Sequence, residues 1–403
     1  MRISTQAFYG QSLYGIGSQQ QQLFRIQQQL SAGTKFLTPA DDPVGAARAL
    51  RVGDSLAQSA QYTTSRGRAT LALSQEEEAL KSATNILQNM KTMVVQAGNG
   101  TLSDADRASL ATAIQSSLEQ LVNVANADDG NGQFLFAGYK SANPPFVMSG
   151  GGVQYMGDQG QRLMQIDVAR QMSVADDGRS VFQSVQGGAG YVSSASAANT
   201  GSGVFGAVGV TDATAPLYGK DFTISFAGGN YTVSTNDTPP VVAATGPYVE
   251  GTPISFGGVQ LSMSGTPADG DSFQVATAKN AGTDIFASIG ELVSALRQPV
   301  AGGGDAAQAR LKNALATANV KITNAHDNVL TIRSSVGSRM NEIDALDEAG
   351  ASRDLIDKAY LSDIQDLDPA AAISQFMQLK TSLEATMGTF AQLNGIALMN
   401  YVR

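Results

Sequence analysis

The chain has 403 residues, a net charge of −9, one histidine and neither cysteine nor tryptophan. That length exceeds one ordinary core, and the missing cysteine excludes disulfides, thiolate metal sites and a cysteine nucleophile. The acidic balance lacks the basic footprint that displaces counterions from nucleic-acid phosphates, and no stretch approaches the roughly 18 apolar residues of a membrane span.

Residues 1–40 hold Arg2, Arg25 and Lys35, no carboxylate and nine glutamines. Tyr9, Ile16, Leu23 and Leu30 recur every seven residues, with Ile26 at an intermediate position. Such a repeat lays a narrow apolar stripe along a helix, and the stripe needs a partner. No apolar run follows Arg2, so a cleaved secretory signal is not expected. Residues 33–43 are irregular, broken by Thr38-Pro39 and Asp42-Pro43, and helical pattern resumes around Val44.

Over residues 66–98, Leu73, Leu80, Leu87 and Val94 fall at sevens, with Ala83, Met90 and Ala97 between them. Gly98-Asn99-Gly100 stops this helix. Ser103 with Asp106 starts another, faced by Leu110, Ile114, Leu118, Leu121 and Val122. The acidic run Glu76-Glu77-Glu78 reads as a solvated helix face.

From about residue 133 the pattern changes to short alternations at Val153/Tyr155 and Met164/Ile166/Val168. Residues 183–283 are rich in glycine and proline and poor in charge. Phe222, Ile224 and Phe226 alternate, Gly228-Gly229-Asn230 offers a turn, and Tyr231/Val233 follow. Ile254/Phe256 and Val259/Leu261/Met263 flank Gly257-Gly258, with Phe273/Val275 beyond, so an antiparallel β module is expected.

Helix returns at Asp284, with Ile285, Ile289, Leu292 and Leu296 on one face. After Gly302-Gly303-Gly304, Leu315, Ile322, Val329, Val336 and Ile343 are spaced by seven, with Ala318, Ala325, Ile332 and Leu346 between. That seam predicts a long rod helix in a bundle. Gly350 is expected to interrupt it, and a hinge-like segment around Leu361–Pro369 precedes the last arm. There Phe376, Leu383 and Phe390 repeat every seven, with Leu379 and Leu393 between. The fold class is mainly α with an inserted antiparallel β module. Terminal coiled-coil arms (1–43 and 362–403) flank a helical rod domain with a short β region (44–182 and 284–361), and residues 183–283 form an outer β module.

No catalytic, metal or cofactor site is expected. His326 flanks the seam; a catalytic histidine needs an orienting carboxylate and a nucleophile nearby in space, and a structural role is expected here. Gly201-Ser202-Gly203-Val204-Phe205-Gly206 matches GxGxxG without the strand before it or the helix after it. Asp128-Asp129-Gly130-Asn131-Gly132 lacks the spaced ligands and terminal Glu of a calcium loop, and Asp269-Gly270-Asp271 is an ordinary turn composition.

Residues 29–48 (QLSAGTKFLTPADDPVGAAR) closely resemble the segment that follows the first helix in bacterial flagellins and their relatives. Leu87–Ala97 with Asn99-Gly100-Thr101 and Ser103-Asp104 is similar to the flagellin core helix and its exit turn. Within that superfamily, Phe134–Lys140 (FLFAGYK), Pro144-Pro145-Phe146 and Tyr155-Met156-Gly157-Asp158 resemble the hook–filament junction branch. So do Arg333–Asn341 (RSSVGSRMN), Asp363–Ile373 and the ending Leu398–Val402.

The resemblance implies flagellin-like discontinuous layers and a structural role, as a junction ring between hook and filament on which flagellin polymerises. It implies an extracellular location after flagellar type III export without signal cleavage. Implied partners are a hook-side junction protein, flagellin, copies of the chain and a cytoplasmic export chaperone, with no nucleic acid and no membrane insertion. The assembly interface is expected at Ile16, Leu23, Ile26, Leu30, Phe376, Leu379, Leu383, Phe390 and Leu393, and chaperone binding at Phe376, Leu383 and Phe390. Two rival readings are a filament flagellin and a secreted adhesin-like module using Tyr218, Phe222, Tyr231 and Phe256.

Overall fold

The computed structural model describes residues 5–149 and 152–399, with side chains over 9–149 and 152–392. Helix α1 (Thr5–Ala32) stops at Gly33, whose φ of 71° is the left-handed conformation that ends helices and that glycine adopts without strain. A 55-residue helix follows, α2 (Pro43–Ala97). Asp42-Pro43 starts it. The Asp42 carboxylate accepts the Gly45 N–H at 2.9 Å, and proline takes the first helical position, where no donor is needed.

Helix α3 (Asp104–Ala125) begins with a reciprocal cap: Ser103 Oγ accepts the Asp106 N–H at 3.2 Å, and Asp106 accepts the Ser103 N–H at 3.0 Å. Two hairpins come next, β1 (Phe146–Ser149) with β2 (Gly152–Tyr155), and β3 (Leu163–Asp167) with β4 (Arg170–Ser173). A short helix, α4 (Gly178–Phe182), leads into the larger β region.

That region has eight strands: β5 (Tyr191–Ala195), β6 (Val204–Val210), β7 (Phe222–Ala227), β8 (Asn230–Thr235), β9 (Val242–Pro247), β10 (Ile254–Phe256), β11 (Val259–Ser264) and β12 (Ser272–Thr277). They form two antiparallel sheets, in the orders β5-β12-β7-β8-β9 and β10-β11-β6. The alternating residues supply one shared core of Phe205, Phe222, Ile224, Phe226, Val233, Ile254, Phe256, Leu261, Phe273 and Val275.

Helix α5 (Ile285–Leu296) starts on Asp284, whose carboxylate accepts the Phe286 and Ala287 amides at 2.8 and 3.1 Å. Burial raises the pKa of that carboxyl. Helix α6 (Gly304–Gln365) then runs unbroken for 62 residues, and α7 (Pro369–Met399) follows. The interruption expected at Gly350 is absent. A single glycine in a helix interior costs only about 1 kcal/mol relative to alanine, less than the neighbouring turns supply. The break falls instead at a second Asp-Pro pair, where Asp368 accepts the Ala370 N–H at 2.9 Å and Pro369 opens α7.

The chain forms two compact units. One comprises the residues up to 64 and from 345 onward, and the other comprises residues 65–344.

Candidate assembly surfaces

In the first unit α1 and α7 pack antiparallel, in a register set by three contacts. Tyr9 meets Phe390 edge-on at 5.1 Å, Gln19 Nε2 donates to Ser382 Oγ at 3.2 Å, and Thr34 bridges Asp366. The Lys35 N–H donates to the Gln365 carbonyl at 2.7 Å, and the Leu367 N–H to the Gly33 carbonyl at 2.9 Å. Ile16 and Ile26 are buried, and Leu23, Leu30, Phe376, Leu379, Leu383 and Phe390 are half-buried. The Leu393 side chain lies outside the described residues.

Heptad spacing did not reveal a second apolar set. Tyr14 is 85% and Phe24 60% exposed, and Leu13, Ile373, Met377 and Met387 are exposed with them. Counting Tyr9 as position a, Tyr14 is an f and Phe24 a b, positions that face water in a two-stranded pair, and Leu13 is an e at the flank of the seam. Large apolar residues there were the available signal.

The connection between α1 and α2 is held by carboxylates. Asp41 Oδ2 accepts the Thr38 and Leu37 amides at 3.0 and 3.2 Å, and Asp41 Oδ1 pairs with Arg25 at 3.0 Å. Those backbone bonds, with lesser help from Arg25, hold the Asp41 carboxyl below its usual range. Ser55 of α2 donates to Asp357 of α6 at 3.0 Å within the same unit.

In the second unit Leu73, Leu80, Leu87 and Val94 of α2 are buried, as are Leu315, Ile322, Val329, Val336 and Ile343 of α6. Arg333 clasps Glu77 through Nη2 at 2.6 Å and Nε at 3.0 Å, and Arg170 holds Glu342 at 2.6 and 2.8 Å. Two buried asparagines of α6 satisfy backbone that the helix faces. Asn313 accepts the Phe205 N–H at 3.1 Å and donates to the Gly203 carbonyl at 2.9 Å. Asn328 donates to the Ser180 and Val181 carbonyls at the end of α4.

The solvated face expected at Glu76–Glu78 needs correction. Glu76 is buried, Glu77 is engaged by Arg333, and only Glu78 is left at the surface with Lys81. Consecutive helix residues point about 100° apart, so three in a row cannot share one face.

Two of the segments that carry the family resemblance close on one another. Phe136 is fully buried against Phe182 at 5.4 Å, and Tyr155 Oη donates to the carbonyls of Phe136 (3.0 Å) and Asp158 (2.7 Å). Asp158 Oδ1 accepts the Tyr139 and Gly160 amides at 2.9 and 2.8 Å. Gly138 has a φ of 68°, and a Cβ there would meet the Asp158 carbonyl oxygen at 2.5 Å. Burial, with Asp177 adding to it, pushes the Tyr155 phenol up to about 12.

His326 lies 3.2 Å from its neighbour Asp327. The amides of Thr200 and Gly201, entering the GxGxxG segment, are held by the buried Asp271 carboxylate at 2.8 and 3.0 Å; the strand expected to be missing does precede it, as β5, but β6 and not a helix begins within it at Val204. Asp129 accepts the Asn131 and Gln133 amides of its own turn.

Residues 3–141 match the bacterial flagellin N-terminal helical region and residues 320–402 the bacterial flagellin C-terminal helical region. Residues 194–277 match the D2-like domain of flagellar hook-associated protein 1. The chain is 30% identical over 398 residues to flagellar hook-associated protein 3 of Escherichia coli, covering 99% of this chain and 98% of that one. The crystal structure of FlgL from Xanthomonas campestris superposes with a TM-score of 0.68 at 28% identity, covering 77% of this chain and 99% of that chain. The flagellar junction protein FlgL from Legionella pneumophila gives the same score at 27% identity, over 79% and 99%. Similarity to a Salmonella phase 1 flagellin extends over 26% of the chain.

Proposed function

The chain belongs to the flagellar hook-associated protein 3 family of the flagellin superfamily, and from that membership we propose how its surfaces do a structural job at the junction of hook and filament. The observation that carries the role is likeness along the whole length. The hook-associated relative is matched from end to end, whereas a filament flagellin is matched over about a quarter of the chain.

The proposed interface is the terminal pair α1/α7. Its heptad residues Ile16, Leu23, Ile26, Leu30, Phe376, Leu379, Leu383, Phe390 and Leu393 bring the arms together, and the outward Leu13, Tyr14, Phe24, Ile373 and Met377 meet neighbouring subunits. A narrow stripe cannot hold an isolated helix in water, so ordering of the arms and burial of their neighbours' apolar surface reinforce each other. The glutamines of α1 form hydrogen bonds across such contacts with less desolvation cost than charges. Joining two different polymers requires two different faces, which a closed symmetric contact does not provide.

The finer partners follow from this reading: a hook-side junction protein on one face, flagellin on the other, and copies of the chain around the ring. Export proceeds without cleavage, and a cytoplasmic chaperone covers Phe376, Leu383 and Phe390 beforehand by helix-in-groove contact. The arms, the rod and residues 183–283 act as separate layers, the last facing outward.

A null strain tests the role. It is expected to shed unpolymerised flagellin into the medium while retaining hooks. Filaments of normal length on that strain would refute the junction role, and micrometre fibres of this chain would make it a flagellin. Loss of chaperone capture on deleting residues 370–403 tests the chaperone contact, and unchanged capture would remove it.

A further inference from the structure

Glu76 occupies a place where a carboxylate is disfavoured. It lies on α2 between the fully buried Leu73 and Leu80, and the residue is 1% exposed. Its Oε1 accepts the Asp176 N–H at 2.9 Å, while its Oε2 is buried without a hydrogen-bond donor among the described residues. The facing groups are the Asp176 carboxylate, on the segment between β4 and α4, and Arg339 of α6. Arg339 pairs with Asp176 and donates to the Ser173 carbonyl at 3.0 Å.

The other charged groups nearby are committed elsewhere. Arg333 holds Glu77, Asp177 caps α4 through the Ser180 N–H at 3.0 Å, and Asp129 holds its own turn. Two acidic side chains thus face one guanidinium, with Glu76 closed to water and the Asp176–Arg339 pair only partly exposed. Burial first, and the Asp176 charge second, push the Glu76 carboxyl up to about 8, against the opposing pull of the Asp176 amide and Arg339.

We propose that a proton held on Glu76 latches the 173–177 segment to α2 and α6, so that this packing weakens as pH rises from the acid side. With the proton in place, the Glu76 hydroxyl faces the Asp176 carboxylate as a donor, and the pair carries one negative charge opposite Arg339. Opening the segment releases the proton to water. Because the folded carboxyl titrates above the unfolded value of 4.5, the contribution is complete below about pH 4.5 and is lost as pH rises to about 8. The segment carries the Asp177 cap, so its release frays α4 and the strand β4 together.

Hydrogen exchange of the full chain, corrected for intrinsic rates, tests the latch. Amides of residues 170–182 are expected to open more with pH, by up to about tenfold per pH unit between 5 and 7.5, and to level off above 8. Glu76→Gln keeps the shape and a donor without a titration, so its profile should be flat. Asp176→Asn removes the like charge and should move the midpoint down. Identical profiles for wild type and Glu76→Gln would overturn the proposal. Should the variants fail to fold, carboxyl-carbon NMR of Glu76 in the native chain decides: a midpoint near 8 supports the latch and one near 4.5 overturns it.

Discussion

Arg333 and Glu77, 256 positions apart, face each other as a fork: Arg333 Nη2 lies 2.6 Å and Nε 3.0 Å from the same Glu77 oxygen, with Nε 3.3 Å from the other. This contact ties α6 to α2 beside their buried seams, and it sits in the RSSVGSRMN segment that carries part of the family resemblance. Both side chains keep a quarter to a third of their surface in water, so the pair is worth less than a buried one. Arg333→Ala is expected to lower stability by about 1 kcal/mol, and Arg333→Lys to recover only part, because an ammonium lacks the planar fork. Urea unfolding of the full chain measures both, and an unchanged midpoint for Arg333→Ala would make the pair a bystander.

The arms are expected to fail when their shared stripe is charged. Leu383→Asp combined with Phe390→Asp puts carboxylates where Phe390 meets Tyr9. The variant should be a secreted or soluble monomer that supports no filament, leaving flagellin in the medium. Normal swimming by this strain would count against α1/α7 as the assembly surface.

Outward residues should behave differently. Tyr14→Ser with Phe24→Ser removes two exposed rings, so the free chain should keep its stability to within about 0.5 kcal/mol. Filament number per cell should nevertheless fall. A loss of stability as large as that from Ile16→Ala, about 2–5 kcal/mol for a buried aliphatic side chain, would mean that these rings pack inside the chain.

Glycines in the two settings are expected to give opposite signs. Gly337 lies inside α6 with open space where a Cβ would go, so Gly337→Ala should stabilise by about 0.5–1 kcal/mol. Gly138→Ala combines a left-handed backbone with a collision against Asp158 and should destabilise by about 1–3 kcal/mol. Thermal melting of the two variants checks the pair.

At the start of α3 the pH dependence has the opposite sign to that of Glu76. Hydrogen bonds from the Ser103 hydroxyl and amide hold the Asp106 carboxyl below its unfolded value of 3.8. Its contribution is therefore present above about pH 3.8 and is lost as pH falls through the lower, folded value. Asp106→Asn should flatten the acid limb of a melting profile between about pH 2 and 5, and Ser103→Ala should cost about 1 kcal/mol. An acid limb untouched by Asp106→Asn would remove the cap from the account.

The seams were legible because burial selects every seventh residue and its intermediate, and apolar residues fill most of those places. The charged occupants were harder to see. Extended by whole heptads, the α2 seam passes through Arg66 and Glu76, and the α6 seam through Arg339; Arg66 and Glu76 are both buried. Charges in a seam were thus visible as breaks in the apolar pattern, but only the fold supplies the Asp176 that makes Glu76 informative. The hairpin turns at Gly228-Gly229 and Gly257-Gly258 were readable because each follows a clear alternation. The pairing of β12 between β5 and β7 was not, since strand order depends on contacts across some 80 residues that no local pattern encodes.

The antiparallel match of α1 with α7 also imposes a schedule. Helix α1 is complete at residue 32, and its partner begins only at residue 369. At about 5–20 residues per second, a ribosome leaves α1 without that partner for tens of seconds. Throughout that interval the stripe from Tyr9 to Leu30 is open to whatever else passes. Because that partner is made so much later, a chain that stops short of residue 369 never acquires the seal, and one that carries α7 can be distinguished from it by that alone.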